Sequence, residues 1–170
     1  MIARSPIRRR RGTTTVEVAV VISVFLLFLF GILEYCRFLL MLHVVTNAAR
    51  DGARYAVVNV NKPTNFDTVD YFDGATTFPS VKNYTDSKSA AVQQMLTTYT
   101  VAVFPCDMTS LNATPPTVVA KSGSPSWNQA QFGDRIAVRI TGDYTPVLPN
   151  FLFMSATIPI SIAVTMNSEG

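Results

Sequence analysis

The sequence has few of the residues that enzymes and metal sites most often use. Its 170 residues include one histidine, two cysteines and one tryptophan, and only 15% of them are charged. A Ser-His-Asp triad would have to be built around His43, and the sequence contains no Gly-rich phosphate loop, no H-E-x-x-H zinc motif and no paired C-x-x-C. We therefore expect no enzyme activity, no cofactor and no metal centre.

Three aspartates at intervals of three residues are the one candidate for a cation site. Asp67, Asp70 and Asp73 lie in a stretch rich in Asn, Asp, Thr, Pro and Gly, a composition that indicates a loop. Their spacing differs from that of an EF-hand calcium loop. A solvated acidic turn is therefore favoured over a calcium site.

The formal charge of +3 does not indicate a nucleic-acid surface. Five of the 14 basic residues precede Gly12, and all 11 acidic residues follow it. Without this leader, nine basic and eleven acidic residues leave a formal charge of −2 and no basic stripe in the rest of the sequence. We expect no nucleic-acid partner.

A long apolar run is the most prominent feature that the sequence does contain. Residues 18–33 carry no charge and are interrupted only by Ser23 and Gly31. As a helix, this run spans about 24 Å, close to the ~30 Å of a bilayer core. We predict a single-pass transmembrane helix in the lipid bilayer. Because basic residues stay on the cytoplasmic side, the arginines before Gly12 place the N-terminus inside and the rest of the chain outside.

Cleaved signals of other kinds fit this run poorly. A secretory signal peptide needs small residues at its cleavage site, but the corresponding positions read G-I-L-E-Y-C. The same residues disfavour a lipoprotein site before Cys36, and a twin-arginine signal would need bulky apolar residues where Gly12 and two threonines stand. An extracytoplasmic location permits a disulfide, so a bridge between Cys36 and Cys106 and a pair of free thiols both stay open.

The helical pattern continues beyond the apolar run. Glu34 and Arg37 are three residues apart and can pair on one helix face, and no proline occurs in residues 7–62. An apolar stripe and a polar stripe follow at helical spacing. The apolar stripe comprises Phe38, Leu42, Val45, Ala49, Ala53 and Ala56, and the polar stripe comprises His43, Asn47, Arg50 and Arg54. Small residues within 48–53 permit close packing, against a sheet of this chain or a neighbouring subunit.

Glu17 and Gly12 mark the start of the apolar helix. By itself, Glu17 is explained by a place in the first helical turn, where the dipole favours a negative charge and one of Thr13, Thr14 or Thr15 caps the helix. Together with the basic leader, the pattern resembles the signal of type IV pilin-like proteins. The resemblance implies that a prepilin peptidase cleaves between Gly12 and Thr13. Glu17 then supports assembly by pairing with the new N-terminus of a neighbouring subunit.

The segment after the apolar run carries a more specific pattern. Residues 47–56 read N-A-A-R-D-G-A-R-Y-A, residues 31–37 read G-I-L-E-Y-C-R, and residues 16–19 read V-E-V-A. These runs resemble the TadE-like family, the minor pilin-like or pseudopilin proteins of bacterial Tad (tight adherence, Flp pilus) assembly systems. Val18 departs from the pilin-like signal, which often has an aromatic residue there. The motif residues are Asn47, Ala48, Ala49, Arg50, Gly52, Ala53 and Arg54.

The resemblance does not supply roles for Arg50 and Arg54. We expect them to stabilise the outer end of the helix by pairing with Asp51 or by capping carbonyl groups. His43, on the same polar stripe, is expected to be an ordinary residue of the helix surface.

The remainder of the sequence predicts a small α+β domain. A helix starting near residues 86–87 and strands at 98–104, 134–141 and 158–166 are its clearest elements. Pro159 indicates that the last strand lies at a sheet edge, and the last two strands are expected to be antiparallel neighbours. The expected fold is α+β, pilin-like: a long N-terminal transmembrane helix that continues into a small extracytoplasmic domain with an antiparallel sheet.

The expected organisation is a basic leader peptide (1–12), a transmembrane and amphipathic helix (13–58) and an extracytoplasmic domain (59–170). The resemblance implies a pseudopilin of the bacterial inner membrane that serves biogenesis of a Tad/Flp-type type IV pilus. Its partners would be a prepilin peptidase, other pilin-like subunits and the inner-membrane pilus assembly platform. A minor pseudopilin of a type II secretion system shares the signal. In an uncleaved signal-anchored binding domain, Gly12 and Glu17 would be incidental.

Overall fold

A long N-terminal helix is followed by a small domain with antiparallel sheets. This computed structural model describes residues 11–112, 117–123, 126–130, 132–147 and 155–168, with side chains from residue 14 onward. The α+β arrangement confirms the fold class predicted from the sequence.

The first helix, α1 (Arg11–Val58), contains 48 residues and is therefore about 72 Å long. Its most apolar part has a mean hydropathy of 2.8, and none of that part is buried inside the structure. Residues 14–33 are exposed except for the half-buried Gly31. An exposed apolar surface of this length is what a helix presents to lipid, so α1 is a candidate membrane span.

The elements that follow α1 form the small domain. They are α2 (Val81–Gln93), α3 (Met108–Leu111), and the strands β1 (Tyr71–Phe72), β2 (Thr77–Phe78), β3 (Leu96–Cys106), β4 (Arg135–Tyr144) and β5 (Ile158–Asn167). Two short 3-10 turns, at Thr64–Asp67 and Trp127–Gln129, complete the described elements.

Strands β3, β4 and β5 form an antiparallel sheet in that spatial order. Ile136 of β4 lies opposite Met166 of β5, and Tyr144 lies opposite Ile158. The last two strands are thus antiparallel neighbours, and β5 pairs only with β4 among the described residues, as Pro159 predicted. β3 runs through Pro105 to Cys106, because Pro105 also lies on an edge strand, where a missing N–H is tolerated.

The inner face of α1 packs against both α2 and the sheet. Nearer the membrane span, the core comprises Met41, Val45, Ala48, Ala49, Val92, Leu96, Ile140, Tyr144 and Ile160. Farther along α1, it comprises Ala53, Ala56, Phe66, Val81, Trp127, Ile136 and Val138. The predicted apolar stripe is therefore buried or half-buried along its whole length. The two cores fix the direction of α1 relative to the domain.

Helix α2 begins earlier than the sequence predicts. A start near residues 86–87 is wrong, because the hydroxyl oxygen of Ser80 caps the helix by accepting a hydrogen bond from the amide of Asn83 at 3.1 Å. The first turns contain Val, Asn, Tyr and Thr, which are weak helix formers. Val81 and Thr85 are buried, and this tertiary packing outweighs the weak local propensity.

Candidate functional site

The predicted cleavage site lies within the described part of α1. Gly12 and Thr13 belong to the helix, but their side chains and the leader residues 1–10 lie outside the described part of the chain. Because α1 includes Arg11 and Gly12, the three threonines that follow lie inside the helix and do not cap it, and Glu17 lies beyond the first turn. The expectation of a first-turn Glu17 is therefore wrong in this structure, since helical residues precede the threonines.

Glu17 is an isolated charge on the apolar part of α1. Its side chain is exposed, and within the described residues it takes part in no hydrogen bond or ion pair. A carboxylate in hydrocarbon costs about 2.5–3.5 kcal/mol unless it is paired. The apolar part of the helix thus carries a charge that the described residues do not neutralise.

Glu34 forms a buried polar site at the other end of the apolar run. Its side chain is 4% exposed. Oε1 accepts a hydrogen bond from the Tyr144 hydroxyl at 2.8 Å and from the Val147 amide at 3.2 Å. Arg37 lies 3.9 Å from Oε2, which confirms the predicted pairing of Glu34 with Arg37. Two donors, one from the last residue of β4 and one from the turn after it, thus bind the helix where its apolar run ends.

Tyr144 is held on two sides at this site. Its ring packs edge-on against Phe38, one turn after Glu34, with ring centroids 5.3 Å apart. Burial, followed by the hydrogen bond to the Glu34 carboxylate, raises the pKa of Tyr144 to about 12. The phenol therefore stays protonated and remains a donor to Glu34 at neutral pH. Sequence reasoning missed this partner, because no spacing pattern connects Glu34 with a strand so far along the chain.

The TadE-like motif residues divide between two faces of α1. Ala48, Ala49, Gly52 and Ala53 are buried, whereas Asn47, Arg50 and Arg54 are exposed. The buried set faces α2 and the sheet, so the small residues permit the close approach predicted from the sequence. The exposed set, with His43, is the polar stripe, and its last member, Arg54, borders hollows that α1 forms with β5 and α2.

Gly52 shows how close the approach to α2 is. A Cβ atom at this position would lie 2.2 Å from Oγ1 of Thr85. Thr85 is fully buried and its hydroxyl donates to the Val81 carbonyl, so it cannot move aside without losing that bond. A side chain at residue 52 would therefore push α2 away from α1.

Arg50 and Arg54 do not have the role expected from the sequence. Among the described residues neither guanidinium forms an ion pair or a hydrogen bond, whether with Asp51 or with a carbonyl group. All three side chains are exposed, and Asp51 and Arg54 line the same hollow between α1 and α2 without forming an ion pair. Both arginines are thus free to bind something outside this chain.

Two hollows border Arg54 at the end of α1. The larger, of about 860 Å³, lies between the end of α1 and the end of β5 and includes Val58 and Met166 in its lining. The smaller, of about 400 Å³, lies between α1 and α2 and includes Tyr55 and Tyr84. Val58 also lines the smaller hollow, and it is 72% exposed.

The remaining candidates from the sequence do not form a reactive centre in the described residues. Cys36 is exposed and Cys106 is buried, and both are free thiols. The described part of the chain holds no group of three or more His, Cys, Asp or Glu side chains placed to bind a metal. Asp70 and Asp73 instead accept hydrogen bonds from nearby amides, which lower the pKa of both carboxyls.

Comparison with known proteins finds a family match for one part of the chain. The family model described as "TadE-like protein" matches residues 12–54. The match begins at the predicted cleavage glycine, covers most of α1 and ends before the sheet. No curated protein and no solved structure matches the chain. The resemblance predicted from the sequence is confirmed over this range, and residues 12–54 form a TadE-like segment.

Proposed function

We propose that this chain is a membrane-anchored pilin-like subunit, a pseudopilin, in the biogenesis of a Tad/Flp-type type IV pilus. The observation that carries the proposal is the TadE-like segment, which starts at Gly12. In the structure this segment is one helix with an exposed apolar first half. Its role is structural: the helix anchors the domain and packs with the helices of other pilin-like subunits.

Processing would occur at the cytoplasmic edge of the bilayer. A prepilin peptidase removes the basic leader, residues 1–12, and Thr13 becomes the new N-terminus. Cleavage before the apolar run leaves the membrane helix attached to the domain, unlike cleavage of a secretory signal, which follows the apolar run. The protein would then sit in the inner membrane with the domain, residues 59–170, on the extracytoplasmic side.

Glu17 gains a partner from this cleavage. The new α-ammonium group lies four residues, about 6 Å along the axis, before Glu17 in the same helix. When neighbouring helices pack with a small axial shift, the ammonium of one subunit meets the carboxylate of the next. Pairing offsets the cost of both charges in the bilayer. This contact favours assembly with other pilin-like subunits at the assembly platform over a free subunit in lipid.

The buried Glu34 site would set the geometry of such a subunit. Because Tyr144 and Val147 bind Glu34 at the end of the apolar run, the domain starts where the helix leaves the bilayer. The helix and the domain would therefore move as one body when subunits are added. Membrane insertion of α1 would then also fix the orientation of the domain.

The test is the N-terminal sequence and intact mass of the protein purified from its own bacterial membranes. The expected chain begins at Thr13 and lacks the twelve-residue leader. Gly12→Leu is the matched variant: it should leave the leader attached, because the peptidase cuts after a small residue. A wild-type chain that still begins at Met1 while the prepilin peptidase is active would overturn the proposal. An uncleaved signal-anchored binding domain would then be the better explanation.

A further inference from the structure

The polar stripe of α1 has no partner among the residues that the structure describes. It comprises His43, Asn47, Arg50 and Arg54, and all four side chains are exposed. Arg50 and Arg54 lie one helical turn apart on one face, about 6 Å along the axis. Neither pairs with any described residue, although Asp51 lies next to Arg50 in the sequence.

We propose that this stripe, together with the larger hollow beside Arg54, is the docking surface for an acidic surface of another extracytoplasmic protein. Carboxylates of the partner pair with Arg50 and Arg54, and an apolar side chain beside them enters the hollow. The inference deepens the proposed assembly role and rests on the membrane anchoring of α1. Three further observations select this partner over others.

The hollow supplies the apolar part of the surface. Val58 is 72% exposed at its rim, and Val57, Val60 and Met166 of its lining are half-buried. Arg54 is the one charged side chain among the described residues that line it. A mixed apolar and acidic group therefore matches this end of the stripe better than a purely polar ligand.

Lipid headgroups lie too far away to be the partner. Along the helix axis, Arg50 is about 24 Å and Arg54 about 30 Å beyond Glu34, where the apolar run ends. The headgroup layer on each side of a bilayer is only about 5–8 Å thick. An average helix tilt of ~20° shortens these heights only slightly. The two guanidinium groups thus lie beyond the membrane surface.

A second copy of this chain docked stripe to stripe is also disfavoured. A two-fold contact places the same surface of each copy against the other. Arg50 and Arg54 would then face Arg50 and Arg54, and like charges across an interface cost several kcal/mol. Asp51, the exposed acidic residue next to Arg50, balances only one of the two arginines, so this surface keeps a positive charge in each copy. A partner with the opposite charge removes this cost.

Charge reversal with a photo-crosslinker tests the proposal in native membranes. The full chain carries the photoreactive residue p-benzoylphenylalanine at Asn47, within the stripe. We expect an adduct with a protein other than this chain, with Asp or Glu next to the crosslinked position. Arg54→Glu should lower the adduct yield about tenfold or more, since like charges then meet. Lys88→Glu makes the same charge change at an exposed residue of α2 and should leave the adduct yield unchanged.

Rescue decides whether the charges act directly. Replacing the acidic residue at the crosslinked site of the partner by Lys should restore the adduct with Arg54→Glu. Arg54→Gln, which only removes charge, should give a smaller loss, and circular dichroism of each variant in detergent should match the wild type. An adduct with lipid or with a second copy, no adduct above background, or an adduct insensitive to Arg54→Glu would each overturn the proposal.

A second measurement on the same membranes tests the proposed function separately from the docking surface. N-terminal sequencing reports whether the chain begins at Thr13, independently of the crosslink. A correctly cleaved chain without a charge-dependent adduct would overturn only the docking surface. An uncleaved chain that still forms the adduct would overturn the pilin-type processing and leave the docking surface in place.

Discussion

The hydroxyl of Tyr144 donates a 2.8 Å hydrogen bond to Glu34, a residue 110 positions earlier in the chain. This bond joins the end of β4 to the turn of α1 where the apolar run ends. Glu34 is nearly fully buried, and a buried carboxylate needs such donors, because its charge is otherwise expensive to remove from water. The contact makes the orientation of the domain relative to α1 a property of the fold.

Tyr144→Phe tests the contribution of this bond to stability. The variant keeps the ring that packs on Phe38 but leaves Glu34 with one donor fewer. Removing a hydrogen bond to a charged group costs ~1.5–3 kcal/mol, so we expect the free energy of unfolding in detergent to fall by that amount. Tyr84→Phe is the control, because the Tyr84 hydroxyl makes no hydrogen bond within the described residues. Equal losses in both variants would contradict the assignment.

The pH dependence of this effect has a definite sign. The pKa of Tyr144 is raised from 10.0 to about 12 by burial and by the bond to Glu34. Protonation of Tyr144 is therefore linked to folding. Its contribution to the free energy of unfolding is fully present below pH 10 and is lost as the pH rises through about 12. We expect the stability difference between wild type and Tyr144→Phe to shrink over this window. Unfolding curves at several pH values measure it, and a constant difference would contradict the prediction.

Gly52→Ala should destabilise the protein although alanine is the better helix former. In an isolated helix the change would be favourable by ~1 kcal/mol. Here the added Cβ would lie 2.2 Å from Oγ1 of Thr85, and overpacking of this kind costs about 1–3 kcal/mol. The double variant with Thr85→Ala should recover part of the loss. If the losses of unfolding free energy from Gly52→Ala and Thr85→Ala simply add in the double variant, the contact between residues 52 and 85 is contradicted.

Ser80→Ala tests the observed start of α2. The Ser80 hydroxyl oxygen accepts from the Asn83 amide, and the loss of such a cap costs about 1 kcal/mol. Ser87→Ala is the matched control, because Ser87 is exposed within the helix and its hydroxyl bonds only to the Tyr84 carbonyl. Thermal unfolding should show the larger decrease for Ser80→Ala. A larger decrease for Ser87→Ala would instead indicate a helix start near residues 86–87, as the sequence predicted.

Glu17→Gln should separate cleavage from assembly. The leader should still be removed, since Gly12 and Thr13 are unchanged, but the new N-terminal ammonium loses its negative partner. An unpaired charge in hydrocarbon costs about 2.5–3.5 kcal/mol, so contacts with other pilin-like subunits should fall about tenfold or more. Intact mass measures the cleavage, and crosslinking in native membranes measures the contacts. Glu17→Asp, which keeps the charge, should retain more of the contacts than Glu17→Gln.

Helix α1 was largely predictable because its signals are local. A continuous apolar run, helical spacing and the absence of proline act within a few residues of each other. These signals predicted the apolar and polar stripes, the small residues that permit close packing, and the pairing of Glu34 with Arg37. The edge position of β5 also followed from one residue, Pro159, since a missing N–H is tolerated only at an edge.

Contacts between distant segments were not predictable in the same way. The start of α2 was misplaced because burial of Val81 and Thr85 outweighs local propensity. Arg50 and Arg54 were expected to stabilise the helix end, yet they are exposed and unpaired within the described residues. A sequence pattern shows which residues share a helix face, but it does not show which face another segment covers.

The sequence by itself determined that basic residues precede an apolar helix long enough to span a membrane, and that a TadE-like segment extends through this helix. These properties depend on neighbouring residues and on the fixed geometry of the α-helix. Only the tertiary structure decided that Tyr144 donates a hydrogen bond to Glu34 and that Thr85 packs closely against Gly52. It also decided that Arg54 is exposed beside a hollow. Those contacts arise when α2 and the sheet pack on one side of α1, because this packing decides which face of the helix is buried and which stays exposed.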